Sequence, residues 1–325
     1  MRTKIVYALT STEEDNYLEQ SLISVFSLRK IMSNVAVELI VDSMTDSTIN
    51  GSRSEILKFI DRKTVINAPK EYNKVQTSRY LKTNLRKFVE GDFLFIDSDT
   101  IITDTLEEID DFDGDLGAVL NLHVPLQFHT KMDEVKVRNR ICQTGYHIES
   151  NIPYFNSGVI FVRDSEEART FYEKWYTRWQ IGLNKSKLTK DQPAMAAANA
   201  EMDYVIKEIG GEWNCQVLNN GLPYLYKAKI IHYFASFAHK KNDKPYLFLD
   251  DDIYKEIKEK GCITEHIASM IDKAKGAFRK PCQVVVGNEL NLLYNSMHSL
   301  AMNHPILYNS LDKSIGKMFQ LWRKK

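Results

Sequence analysis

Phe93-Leu-Phe-Ile-Asp-Ser-Asp-Thr-Ile-Ile102 is the stretch whose reading sets the fold. Four apolar residues run into Asp97 and Asp99, and Thr100 leads back to apolar sequence. A short apolar run after a charged stretch reads as a buried strand. The polar break at its end puts both carboxylates at the strand's carboxyl edge, where open α/β sheets bind ligands. Residues two apart on a strand point the same way. Two like charges aimed at one spot raise each other's pKa unless a cation lies between them. A divalent metal with hard oxygen ligands, Mg²⁺ or Mn²⁺, meets that need. Taken alone, Asp-x-Asp reads better as a strand-end turn with solvated acids. The buried strand before it lifts the metal reading.

Outward from this stretch the chain alternates strand and helix. Ile5–Leu9 reads as a first strand, followed by a polar loop from Thr10 to Asn16. Residues 17–32 carry Leu18, Leu22, Val25, Phe26 and Leu28 near helical spacing. Val37–Val41 reads as a second strand, 52–61 as a helix and Thr64–Ile66 as a third strand. A helix over Ser78–Phe88 precedes the Asp97 strand, Leu116–Leu120 and Gly158–Val162 are further strands, and 165–180 is an aromatic-rich helix. This alternation predicts an α/β fold, a mostly parallel sheet with helices on both faces. Leu122 to Asn151 is polar, holds three of the eight histidines and has little periodicity. It reads as a lid or acceptor loop, or equally as a surface excursion. From about Pro245 charged helical stretches replace the strand pattern. The expected division is 1–248 as the α/β domain and 249–325 as a helical carboxyl-terminal extension.

The chain has 325 residues, with 43 Lys+Arg against 43 Asp+Glu, so no net charge draws it to nucleic acid. Its hydrophobic fraction of 43% is that of an ordinary globular protein. Cys142, Cys215, Cys262 and Cys282 lie far apart and form no Cys-x-x-Cys pair, which argues against a zinc ribbon or redox dithiol and for a reducing compartment. The apolar part of the amino terminus is too short for a signal peptide, and no stretch reaches the length of a membrane span. The expectation is a cytoplasmic protein.

Four further segments carry chemistry. Asp15-Asn-Tyr-Leu18 follows the first strand, and Tyr154-Phe-Asn-Ser-Gly-Val159 opens a later one. Asp191-Gln192 begins a helix, and Ile230-Ile-His-Tyr-Phe234 is a short apolar strand with a histidine near its end. Together with Phe95-Ile-Asp-Ser-Asp99, the chain resembles the retaining GT-A glycosyltransferases of family 8, the glycogenin and bacterial lipopolysaccharide galactosyltransferase group. Phe155-Asn-Ser-Gly158, Asp191-Gln192 and Ile231-His-Tyr233 match that family's motifs in kind and in order. The resemblance covers roughly residues 4 to 246.

What it implies is a metal-dependent transfer of a sugar, with retention, from a nucleotide-sugar, expected to be UDP-linked, to a hydroxyl acceptor. The acceptor is expected to be a glycan or lipid-linked glycan of a bacterial surface polymer. A diphosphate leaving group needs its charge offset, and Mn²⁺ or Mg²⁺ held by Asp97 and Asp99 would do so as a Lewis acid. His232 is the implied third ligand. By itself, a strand-end histidine hydrogen-bonded to a loop is the better reading of that residue. Asn156 and Gln192 are neutral amides suited to hydroxyl recognition. The resemblance puts Asp191 and Gln192 at the donor sugar, with Gln192 near the anomeric carbon. Asp191 equally suits a helix N-cap. Thr10, Asp15, Asn16 and Tyr17, in a first loop longer than the family's usual form, are the expected nucleotide contacts, with Ser98 beside the acid pair. Lys82 resembles the family's basic position near the donor and equally suits a solvated helix lysine. The family's Lys-Pro-aromatic lysine touches the diphosphate. Here Lys244-Pro-Tyr246 comes late, and Lys240 and Lys241 lie nearer the expected place.

Other readings compete. A phosphatase of the haloacid dehalogenase type also uses strand-Asp-x-Asp with Mg²⁺, but wants Thr or Val where Ile101 stands, and its nucleophile follows the first strand. A nucleotidyltransferase wants a Gly-rich loop after the first strand, and Thr10–Asp15 has no glycine. A catalytically inactive sugar-binding scaffold would not need Asp97, Asp99, Asn156, Gln192 and His232 intact. At the far end, Leu307, Leu311, Ile315, Met318, Phe319 and Trp322 share one helical face, with Lys313, Lys317, Arg323, Lys324 and Lys325 around it. That face suits either packing on protein or the surface of an anionic membrane.

Overall fold

The computed structural model describes residues 1–148, 152–234, 244–279 and 288–322. Strands β1 (Lys4–Leu9), β2 (Val37–Asp42), β3 (Arg62–Ile66) and β4 (Phe93–Ile96) come first. Then follow β5 (Thr100–Ile102), β6 (Leu116–Leu120), β7 (Phe155–Val162), β8 (Ile206–Glu208), β9 (Cys215–Gln216) and β10 (Ile230–His232). The main sheet has the order β3-β2-β1-β4-β7-β6-β8. Its neighbours pair in parallel except at β7, which runs against both β4 and β6. From β1 the chain adds strands on one side as β2 and β3 and then crosses to β4 on the other. That reversal opens a crevice at the carboxyl ends of β1 and β4, the place where such sheets bind ligands. Because β7 is antiparallel, its first residues reach the same edge.

Successive residues of these strands bury on opposite faces. Ile5, Tyr7, Leu9, Leu94, Ile96, Val159 and Phe161 join one core with Leu18, Leu22, Val25 and Leu28 of α1 (Tyr17–Ile31). Val6, Phe93, Phe95, Ile160 and Val162 join the other. That second core is closed by Leu81 of α2 (Lys74–Thr83). Beyond α3 (Lys131–Gln143), α4 (Glu166–Ser186) adds Phe171, Tyr172, Trp175 and Trp179. Both tryptophans are fully buried, so truncating either would cost about 3–5 kcal/mol. Covering both faces explains why these strands read as continuous apolar runs.

Some elements differ from expectation. Residues 51–59 form a 3₁₀ helix. The helix expected over Ser78–Phe88 begins earlier, under an Asn73/Gln76 capping box, and breaks at Asn84, whose Nδ2 donates to Tyr80 O at 2.9 Å. The polar 122–151 segment holds a full helix, α3. Its start is capped by Thr130, and Val137 and Ile141 pack on Ala196 and Ala197 of α5 (Gln192–Glu201). The stretch Asp97–Asp99 is not strand. It is the bend by which the chain leaves β4 for a small second sheet, β5-β10-β9.

The expected boundary at 248/249 is not a packing boundary. Ile253, Tyr254 and Ile257 of α6 (Asp251–Lys260) and Ile267 and Ile271 of α7 (Glu265–Asp272) share one core with Tyr233, Tyr246 and Phe248. Lys258 reaches back to donate to the carbonyls of Glu13 (3.0 Å) and Asp15 (2.6 Å). Then come α8 (Asn288–Asn303) and α9 (Pro305–Trp322). Among the described residues no helix is long and apolar enough to cross a membrane.

Candidate active site

The bend after β4 is fixed on every side. Asp97 N–H donates to Gly158 O at 2.8 Å, Thr100 Oγ1 donates to Asp97 O at 2.9 Å, and Tyr233 N–H donates to Asp99 O at 3.1 Å. The last bond continues the antiparallel register that sets Thr100 opposite His232. The acids therefore converge through a bend shared by two sheets, and not through strand alternation. Ligand atoms of Asp97, Asp99 and His232 all lie within 4.8 Å of one another. His232 Nε2 stands 3.2 Å from Asp99 Oδ1, and the ring is buried and stacked on Phe234 with centroids 4.0 Å apart. Around an octahedral ion at ~2.1 Å, ligand atoms sit roughly 3–4.2 Å apart. A small closure of these side chains suits Mn²⁺ or Mg²⁺, and two carboxylates with one imidazole are a hard-to-borderline donor set for such an ion.

The floor of the cleft is charged on purpose. Lys82, 5% exposed at its side chain, places Nζ 3.0 and 3.2 Å from the two oxygens of Asp97 and 3.7 Å from Asp191 Oδ2. Arg79, one turn earlier on α2, sets Nε 3.1 Å from Asp191 Oδ1. Ser157 Oγ donates to Asp191 Oδ2 at 3.0 Å. Burial pushes the Asp191 carboxyl up, but Lys82 and Arg79 outweigh it and hold it at about 2. Asp191 is thus a fixed anion. It stands at the N-cap of α5, but its side chain makes no capping bond and serves the two cations instead. At Asp97 burial dominates over the pull of Lys82 and His232, and Asp99 adds to it, so that carboxyl is raised. Asp97 and Asp191 share the two buried cations Lys82 and Arg79, and Asp99 faces His232.

Gln192, the first residue of α5, lines the cleft, as does the buried Tyr154. Asn156 lines it as well. Its Oδ1 already accepts from Gly158 N–H and Asn214 Nδ2, and its Nδ2 donates to Asn121 Oδ1 at 3.3 Å, so one amide N–H remains to meet a ligand. Thr10, Tyr17 and Ser98 border the cleft, and Thr10 Oγ1 is buried with no hydrogen-bond partner. Asp15 borders it too, but both its oxygens are used within the fold. They accept from Ser11 Oγ, the N–H and Oγ1 of Thr12 and Tyr17 N–H, and pair with Lys74. Asp15 closes the loop that carries Thr10.

Among the described residues, two expected contacts are not brought to the cleft. Asn16 stands at the N-cap position of α1, with no capping bond from its side chain, outside the lining. Lys244 is tied to Asp251 at 2.6 Å and is not a lining residue either. Lys240, with its neighbour Lys241, lies outside the described residues. Several residues were missed in the sequence. Arg79 was findable, since it sits three before Lys82 on one helix face. Ser157 and Asn214 had no signal. Asp133, Lys136 and Arg140 of α3, with Ser299 and Asn303 of α8, also line the cleft.

An open sheet with its crevice at the β1/β4 reversal, a converging Asp-Asp-His cluster and a cation-clamped acid define a GT-A enzyme. The family model for glycosyl transferase family 8 matches residues 8–247, and the chain belongs to that family. It is a glycosyltransferase, which does not favour the phosphatase, nucleotidyltransferase or scaffold readings. Its fold is similar to that of the galactosyltransferase LgtC solved with donor and acceptor sugar analogues. The TM-score is 0.53 at 15% identity, over 82% of this chain and 99% of that one. It is also similar to the apo structure of the bifunctional glycosyltransferase WbbM, with a TM-score of 0.54 at 14% identity, over 84% of this chain and 51% of that one. No curated protein sequence matches the chain.

Proposed function

We propose that this enzyme moves a sugar from a UDP-sugar to a hydroxyl of a bacterial surface glycan, free or lipid-linked, with retention and with Mn²⁺ or Mg²⁺ as cofactor. The observation that carries the reading is the convergence of Asp97, Asp99 and His232 on one point at the ligand edge of the sheet. A divalent ion there would offset the charge of the departing diphosphate. Thr10 and Tyr17 border the expected nucleotide side, and Asn156, Asp191 and Gln192 the sugar side. Lys82, paired with Asp97 at 3.0 Å, would meet the phosphates if Asp97 served a metal ion instead. Asp191 has both oxygens engaged by Arg79, Lys82 and Ser157, so this carboxylate does not stand ready as a nucleophile. That supports front-face attack by the acceptor, assisted by the leaving phosphate. The motif-bearing residues would lie within 1–248, α6 and α7 would complete their core, and the last helix, α9, would touch the inner face of the plasma membrane. Helix α9 supports the contact, because Ile306 and Leu307 are exposed by 86% and 58%.

The test is hydrolysis of a panel of nucleotide-sugars with and without Mn²⁺, paired with calorimetry of UDP. Wild type should bind UDP more tightly with Mn²⁺. Asp99→Ala should fold normally, lose that enhancement and fall at least roughly a hundredfold in kcat/KM, since several kcal/mol of charge stabilisation disappear. Equal UDP affinity with and without Mn²⁺ in both proteins would remove the metal from the mechanism.

A further inference from the structure

Behind His232 a line of buried side chains leads back to one main-chain group. Gly158 N–H donates to Asn156 Oδ1 at 2.9 Å. A main-chain N–H can only donate, so that atom of Asn156 must be its oxygen. Asn214 donates Nδ2–H to the same oxygen at 3.0 Å, which turns its own Oδ1 the other way. That Oδ1 lies 3.0 Å from His232 Nδ1. A carbonyl oxygen can only accept, so Nδ1 carries the proton. The lone pair of the neutral ring is then at Nε2, the atom that faces Asp99. Amide ends and imidazole tautomers are assigned from their partners. Here each assignment follows from the one before, and the first has no freedom. Asn214 is fully buried, and Asn156 and His232 nearly so. Gly158 completes the arrangement. A Cβ there would lie 2.4 Å from His232 Cε1 and 2.8 Å from Nδ1, so the ring fills the space the glycine leaves.

A lone pair beside an ionised carboxylate gains nothing from the contact, and a cation between them turns both into ligands. We propose that Asn214 is the positioning residue of the metal centre. It holds His232 in the Nδ1–H form and so presents Nε2 as a donor, its own orientation being set by Asn156 and the Gly158 N–H. The inference rests on reading Asp97, Asp99 and His232 as a metal site. Groups that orient a metal-bound imidazole in this way are typically worth 10–100-fold in affinity.

The experiment uses full-length protein labelled with ¹⁵N-histidine, the His232 signal being assigned by its loss in His232→Ala. In metal-free wild type at pH 8 the shifts should show the proton on Nδ1. In Asn214→Leu the acceptor is gone, and the proton should move to Nε2, where Asp99 can accept it. Mn²⁺ affinity, read from the free-ion EPR signal with UDP present, should then fall roughly 10–100-fold. Asn214→Asp keeps an acceptor at Nδ1 and should keep both the tautomer and the affinity. It also serves, with wild type, if the leucine variant fails to fold. A wild-type proton on Nε2 overturns the proposal, and so does Asn214→Leu binding Mn²⁺ as wild type does while His232→Ala does not. A wild type that binds no Mn²⁺ overturns the metal reading first and this inference with it.

Discussion

Gln192 is the residue whose role separates binding from chemistry. It opens α5 on the cleft, next in sequence to an acid that stays ionised at any working pH. It touches none of the groups expected at the phosphates. Gln192→Ala should therefore lower kcat roughly tenfold or more and leave UDP affinity within about twofold, because an interaction made at the sugar alone is lost. Stopped-turnover assays beside UDP calorimetry give both numbers, and a parallel loss of UDP affinity would move Gln192 to the nucleotide side. Asp97, Asp99, Asn156, Asp191, Gln192 and His232 were legible because each sits where an apolar strand or a helix start meets a polar motif. Asn214, Arg79 and Ser157 were not assigned. They act on other side chains, and a sequence does not show what a fold places behind a ring or a carboxylate. Asp15 was legible as a polar residue of the right loop, but not as one whose oxygens are consumed by its own neighbours.

Among the elements, the turn after β6 holds the least expected strain. Leu122 and His123 both lie in the left-handed region, at φ 60° and 58°. The His123 ring stacks on Tyr224 with centroids 4.6 Å apart, and Nε2 accepts Gln216 N–H at 3.1 Å. Burial pushes the imidazole down to about 3. Unfolded, it would titrate near 6.5. The unfolded chain thus binds the extra proton between those values, so the stability owed to neutral His123 is complete above about 6.5 and drains away as pH falls toward 3. Melting temperature should fall across that window in wild type and fall less in His123→Gln; equal slopes would clear His123 of the effect. This turn and helix α3 lie in the segment that sequence patterning left open. Patterning fails there because α3 buries only Val137 and Ile141 as a pair one turn apart, too little for a period to stand out. The Asp97–Asp99 bend was placed correctly at the end of β4. Its path into a second sheet depends on pairing with β10, about 130 residues later in the chain, which no local pattern encodes.

At the scale of the whole molecule, the alternation of strand and helix was readable from β1 to β6 and again at β7 and α4, because both faces of the sheet are covered. The division near residue 248 was not, since α6 and α7 look charged in sequence yet bury one face each in the main core. Helix α9 differs. Ile306, Leu307, Leu311 and Ile315 are 86, 58, 40 and 41% exposed, and five basic residues follow from Lys313 onward. Truncation after Asn309 should release the enzyme from anionic liposomes and leave its melting temperature unchanged, each basic residue near the surface being worth ~1 kcal/mol. Liposome binding that survives the truncation, or a protein that unfolds without the tail, would end the anchor proposal. The clasp of Lys258 on the Glu13 and Asp15 carbonyls carries a consequence for biogenesis. The loop that borders the nucleotide side waits for a residue more than 240 positions later. At ribosomal speeds of 5–20 residues per second that is roughly 12 to 50 s of synthesis. During that interval the first strand and helix can pack, while the mouth of the pocket stays unlatched. A partly made chain therefore carries the Thr10–Asn16 loop without its clasp until residue 258 has emerged.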